Sequence, residues 1–326
     1  MKRIYTSFII LFSVFCSLSA QDKKVMSRYQ DQLVDLFEQV YNAPTDNERY
    51  HANESAVQLL SKALEEEDSF KWRWNFGSRV SVLTASSGKF RIFSWPVRRD
   101  NNEQECFGFV QAYDEEEDEW VVTELHDRSD EVFSPEESML TADSWYGSVY
   151  QELVETKHDG QYYYTLLGWN CTNPLIQRKV IEPIWFKRDR AVPQFGQPLF
   201  RKAPNRRRVI LAYTTTAMVN LHYEDQVIHT VEKKRVKIPG TNKSTTQDVG
   251  HDEVERMIIF DEVAPQVQGM EGLFQYYVPT GVELAYVFRN GKWEMRKGAQ
   301  GRLSDKKLNK AFEPLDKDPS RFNLSN

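Results

Sequence analysis

The sequence predicts a mainly β protein, made of antiparallel meander sheets in a propeller-like or sandwich arrangement and preceded by an N-terminal helical hairpin. Three observations predict it. Apolar residues recur at three-and-four spacing up to about residue 70 and at a period of two from Trp72 onward. About thirteen short strand-like runs then follow, separated by turn dipeptides such as Ser87-Gly88, Asp159-Gly160, Thr280-Gly281 and Asn290-Gly291. No long helix separates these runs, and parallel pairing would need such a crossover.

The chain opens MKRIYTSFIILFSVFCSLSAQDKK. Lys2 and Arg3 form a basic head, Ile9 to Cys16 an apolar run, and Ser17, Ser19 and Ala20 a small-residue exit. That order predicts a signal peptide over residues 1–20, cleaved after Ala20, and a periplasmic or extracellular mature protein. The apolar run falls short of the roughly 20 residues that span a bilayer. Phe15 is bulky where lipoprotein processing wants a small residue, which argues against a lipid on Cys16. No second apolar stretch reaches membrane-spanning length, so no span is expected in the mature chain.

Residues 21–70 are expected to form the hairpin. Tyr29, Leu33, Leu36, Phe37 and Val40 share one helical face, and Pro44 interrupts the pattern. Thr45 with Glu48 has capping-box spacing for a second helix, with Tyr50, Val57, Leu60 and Leu64 inward. This hairpin must bury its stripe against the β domain at 71–298. Within that domain Asn290-Gly291, between "ELAYVF" and "KWEMRK", is the strongest hairpin signal. A polar insertion at 225–255 reads as a protruding ribbon with a mobile tip at "PGTNKSTTQDVG", and 299–326 as a loosely ordered tail.

Residues 159–186, "DGQYYYTLLGWNCTNPLIQRKVIEPIWF", hold three tyrosines and two tryptophans. If residues 162–169 are extended, Tyr162, Tyr164 and Leu166 lie on one face and Tyr163, Leu167 and Trp169 on the other. A strand apolar on both faces belongs between two packed layers, so these aromatics are read as core. Trp169, beside the "NCTNP" turn, is the member best placed to meet a ligand. Pro183 in the next strand calls for an edge or a bulge. Extended geometry over "GLFQYYV" would send Tyr276 and Tyr277 in opposite directions, leaving one of them, Tyr277, as a ligand-binding candidate.

Composition excludes some classes. The net charge is −6, and removal of Lys2 and Arg3 makes it more negative. Nucleic acid is therefore not an expected partner. The runs Arg206-Arg207-Arg208 and Lys233-Lys234-Arg235 read as solvated strand ends or loops. Cys106 and Cys171 could bridge in an oxidising compartment or remain two separate buried thiols. The acidic group at 114–119, "DEEEDE", lacks the glycine of a calcium loop and reads as a solvated hairpin tip. His222, Glu224, His229, His251, Asp252 and Glu253 lack metal-ligand spacing, so neither metal nor other cofactor is expected. Glu182 sits in an apolar strand, where an unpaired carboxylate would have a raised pKa and a paired one a structural role, with Arg178 or a neighbouring strand supplying the partner. Asp261 closes "MIIFDEV". These two are the catalytic candidates.

Together "APTDNERYHANESAVQLLSKAL", "FRIFSW", "FGFVQ", "YYYTLLGWN", "KVIEPIWF", "FGQPLF", "RRVILAY" and "MIIFDEVAP" resemble a family of exported bacterial proteins of unknown function. The resemblance runs in order over roughly residues 25–297 and implies export; it brings no activity, cofactor or site residue. Two functional readings follow. One is a non-catalytic β scaffold of the cell envelope that binds a protein, peptide or glycan. The other is a hydrolase acting on a glycan or envelope polymer through paired carboxylates, which need to sit about 5–10 Å apart across a cleft.

Overall fold

Two helices, at residues 23–42 (α1) and Asp46–Glu65 (α2), lead into a series of antiparallel sheets, one of them curled into a half-barrel. Of the described residues, 49% are strand and 19% helix. The computed structural model describes residues 23–170, 172–187, 190–237, 239–240, 242 and 244–297. The expected signal peptide and tail lie outside the described residues. So does Cys171, and with it the question of a bridge to Cys106, whose side chain is buried.

The capping box starts α2: Glu48 N–H donates to Thr45 Oγ1 at 3.4 Å, and Thr45 N–H to Glu48 Oε2 at 3.2 Å. Leu33, Phe37 and Val40 of α1 are buried as expected, and so are Leu60 and Leu64 of α2. The inward stripe of α2 is centred elsewhere than expected, on Ala52, Ala56 and Ala63, while Tyr50 and Val57 flank it half-buried. Small residues let the helix approach the sheet closely. Arg49 also lies on this face, with its guanidinium held by Arg98 O, Ala43 O and the carboxylates of Asp46 and Asp100.

The first sheet is a meander of β1 (Ser81–Thr84), β2 (Phe90–Arg98), β3 (Gln104–Asp114) and β4 (Glu119–His126), in that order. The second contains β5 (Leu140–Thr141), β6 (Val149–His158), β7 (Gln161–Asn170), β8 (Ile176–Phe186), β9 (Pro193–Phe195) and β10 (Val209–Thr214). Its order is β5-β9-β8-β7-β6, with β10 also on β8. The third is again a meander, of β11 (Leu221–Lys237), β12 (Ser244–Pro265), β13 (Tyr277–Arg289) and β14 (Lys292–Lys297).

Side-chain alternation builds these sheets into layers. Phe93, Trp95 and Phe109 of the first sheet face the helices, while Phe90, Ile92 and Val110 face the second sheet. Tyr164, Leu166, Val180 and Ile184 of the second sheet meet that face, and Leu167 and Ile181 turn the other way towards Ile258, Phe260 and Trp293 of the third. Burying each such aromatic or aliphatic side chain contributes about 1.5–3 kcal/mol. Polar bonds fix the register between layers. Trp95 Nε1 donates to Asn53 Oδ1 at 2.7 Å, Tyr150 N–H to Ser94 Oγ at 3.0 Å, and Trp293 Nε1 to Thr165 Oγ1 at 3.0 Å.

Four local expectations are corrected. Pro183 is at neither an edge nor a bulge: β10 pairs β8 up to Ile181 and β9 takes over from Ile184, so the residue without an N–H sits at the handover. Thr280-Gly281 lies inside β13, opposite a register shift between Asp261 and Val263, and does not separate strands. Phe274–Tyr276 is a 3-10 turn, so the two-face argument for Tyr276 and Tyr277 does not apply. In the ribbon, β11 and β12 pair from Leu221↔Phe260 out to Lys237↔Ser244, leaving a tip shorter than "PGTNKSTTQDVG".

Candidate functional site

A cleft of ≈ 800 Å³ opens at one end of the second sheet. Its walls are the loop after β4 (Ser129 to Glu137), Arg178 on β8, the turn at Ala203 to Arg206, Ile210 and Ala212 on β10, and Phe274 from the third layer. That volume is in the range of small-ligand sites.

The loop is held from beneath. Asp127 Oδ1 accepts from Ser129 N at 2.9 Å, Ser129 Oγ at 2.6 Å and Gly147 N at 3.2 Å, and its Oδ2 accepts from Cys106 N at 3.0 Å. A Cβ on Gly147 would lie 2.1 Å from the Asp127 carboxylate, so glycine permits this approach. Fully buried Asn170 donates to Ser129 Oγ at 2.9 Å and Gly147 O at 2.5 Å, and its Oδ1 accepts from Arg178 Nη1 at 3.4 Å.

Further along, the wall rests on Arg208. Because Val209 pairs with Ile181, Arg208 falls opposite Glu182, and the two form a fully buried ion pair at 2.5 Å. Arg208 also donates to Pro135 O and, at 3.0 Å, to Ser138 O. Glu182 Oε2 accepts from Tyr150 O–H at 2.5 Å, and Tyr150 in turn accepts from Trp145 Nε1 at 2.8 Å. Burial and the adjacent Glu182 charge push the Tyr150 hydroxyl pKa well above its usual 10. Arg206-Arg207-Arg208 is thus no solvated run: Arg208 is fully buried, and Arg206 and Arg207 are partly so.

The sequence-derived candidates do not come together. Glu182 is bound by Arg208 and Tyr150, not by Arg178. Asp261, on the third sheet, accepts from Asn220 N at 2.8 Å and Asn220 Nδ2 at 3.1 Å. Trp169 is partly buried against the core between the first two sheets. Tyr277 packs against the core between the second and third sheets, accepts from Gly272 N at 3.0 Å, and lies 5.1 Å from the Phe274 ring. None of these four lines the cleft.

No protein-family model, curated protein or solved structure matches this chain. The site therefore rests on its own geometry.

Three residues that sequence reasoning did not assign to a site, Tyr146, Arg178 and Arg206, line the cleft. Tyr146 is 4% exposed, lines the cleft, and has no hydrogen-bond partner for its hydroxyl among the described residues. Burial raises its pKa to about 12, so at neutral pH it is a donor. Arg178 and Arg206 have no carboxylate partner among the described residues; Arg206 Nη1 donates only to Tyr286 Oη at 3.4 Å. Ile210, Ala212 and Phe274 add apolar surface, and Asp130 and Glu137 stand exposed among the lining residues.

A second cleft, of ≈ 300 Å³, is lined by Tyr162, Tyr164, Trp185 and Phe186. Its tyrosines are already engaged. Tyr164 is 7% exposed and shares a 2.9 Å hydrogen bond with Ser87, and Tyr162 stacks on it at 6.3 Å with Lys157 Nζ 4.9 Å from its ring.

The acidic hairpin tip is only partly solvated. Asp114 is 2% exposed, accepts from the backbone of Glu116, Glu117 and Ala191, and pairs with Arg190 at 3.1 Å. Among the described residues no group of three His, Cys, Asp or Glu could hold a metal ion, and no helix is long and apolar enough to cross a membrane.

Proposed function

We propose that the chain is an exported cell-envelope protein, periplasmic or extracellular, whose layered β stack is a non-catalytic scaffold for binding a protein, peptide or glycan. The observation that carries this reading is the ≈ 800 Å³ cleft, whose lining includes Arg178, Arg206 and Tyr146 together with apolar residues. Export is supported by the order of basic, apolar and small residues over 1–20 and by the resemblance to a family of exported bacterial proteins. The paired-carboxylate alternative loses its named residues. Glu182 and Asp261 lie on different sheets, Glu182 in a fully buried pair with Arg208 and Asp261 bonded to Asn220, which weighs against their acting as a pair.

Two experiments test this. N-terminal sequencing of the protein from fractionated cells should give a chain starting at Gln21 in the periplasm or medium; a chain starting at Met1 in the cytosol would refute export. Purified residues 21–326 should show saturable binding on peptide or glycan arrays or to an isolated envelope protein, and saturable binding to none of them would refute the scaffold.

A further inference from the structure

We infer that the cleft takes the C-terminal end of a peptide, with the free carboxylate held between Arg178 and Arg206 and its last side chain on Ile210, Ala212 and Phe274. This rests on the scaffold reading and names the ligand class for the same site.

Guanidinium groups bind carboxylates through charge-assisted, frequently bidentate hydrogen bonds. In most of this protein arginines near acids already have such partners, as Arg49, Arg99, Arg190, Arg201 and Arg208 do. Arg178 and Arg206 line the cleft without one. Arg178 is aimed by Asn170, itself fully buried and fixed by Ser129 and Gly147, so its position is prepared before a ligand arrives.

Tyr146 is the second, independent observation. Its side chain is 4% exposed, and its hydroxyl, which has no hydrogen-bond partner among the described residues and is not enclosed, is open to the cleft. A phenol open to the cleft near Arg178 can donate to an acceptor bound there. With its pKa raised to about 12, the phenol keeps its proton and adds no competing negative charge.

The surroundings select among anions. Asp130, Glu136 and Glu137 also line the cleft, and their charges repel a phosphate dianion more than a single carboxylate. The apolar lining suits an aliphatic or aromatic terminal side chain. A sugar would favour a broad aromatic face, which Phe274 alone does not provide.

The test uses the full mature chain and an array of hexapeptides in two forms, free acid and C-terminal amide, with a glycan array alongside. The expected result is retention of free-acid peptides with hydrophobic last residues, about tenfold or more weaker retention of their amides, and a comparable loss for R178Q and R206Q. Y146F, which removes one hydroxyl, should weaken binding less but measurably, while Y162A at the other cleft should bind as the parent does. Thermal melts establish that each variant is folded; should an arginine variant unfold, Y146F and the acid–amide comparison decide.

Equal retention of acids and amides would overturn the carboxylate assignment and leave the scaffold reading standing. So would retention only of glycans. Folded arginine variants that bind like the parent would overturn the assignment of the site. Retention of nothing on either array would overturn this inference, and with no envelope protein bound either, the scaffold reading falls too.

Discussion

Glu182 and Arg208 show what a charged residue in an apolar strand can mean. In sequence Glu182 stands out as an acid where a sheet should be dry, and catalysis is one explanation. Its partner lies 26 residues later and is brought opposite it only by the pairing of β8 with β10. The pair then holds Pro135 and Ser138, so it supports the cleft wall from behind. Removing one member leaves a buried charge, and R208M should lower stability by about 3–5 kcal/mol in urea denaturation. The E182M/R208M double variant should lose less than the sum of the two single changes; additive losses would contradict direct coupling.

Tyr146 allows a pH prediction at the same scale. An unfolded tyrosine ionises near 10, whereas burial holds Tyr146 at about 12. A raised folded pKa means that its contribution is fully present below pH 10 and lost as pH rises towards 12. Over that window the parent should lose about 2 kcal/mol more than Y146F. Parallel stability curves for the two proteins from pH 9 to 11.5 would contradict the assignment.

Among the elements, local signals were legible and register-dependent ones were not. The Thr45/Glu48 box starts α2 where its spacing says. Asn290-Gly291 is a tight turn with both residues at positive φ, joining β13 to β14. Both interactions close within four residues. The handover at Pro183 was illegible because it depends on two short strands, β9 and β10, that arrive later in the chain. The cleft was illegible for the same reason. Its walls come from Ser129–Glu137, Ala203–Arg206 and Phe274, segments united only by tertiary packing.

The ribbon supplies the element-scale prediction. Beyond the Thr230↔His251 pair the strand pairing of the described residues is between β11 and β12 alone, and residues 244–248 are exposed. Replacing residues 231–250 with Asn-Gly should leave the melting temperature within about 2 °C. A large drop would mean that the outer ribbon packs on the body.

At the scale of the whole molecule, helices and three sheets stack through successive apolar faces, and the aromatic wealth of residues 159–186 belongs mainly to that stack. Its two-sided apolar pattern predicted layers on both sides, and the structure provides them: Tyr164 and Leu166 meet the first sheet, and Leu167 meets the third. What the pattern does not encode is where the stack stays open. That depends on loops at one end of the second sheet and places the candidate site away from Trp169.

The most direct measurement of this architecture is hydrogen exchange across β7 in the free protein. Amides from Tyr164 to Gly168, sealed between two sheets, should exchange only through global unfolding, far more slowly than those of the exposed turn at Asn101 and Asn102. Exchange of the β7 amides at a rate comparable to that turn would contradict the layered account.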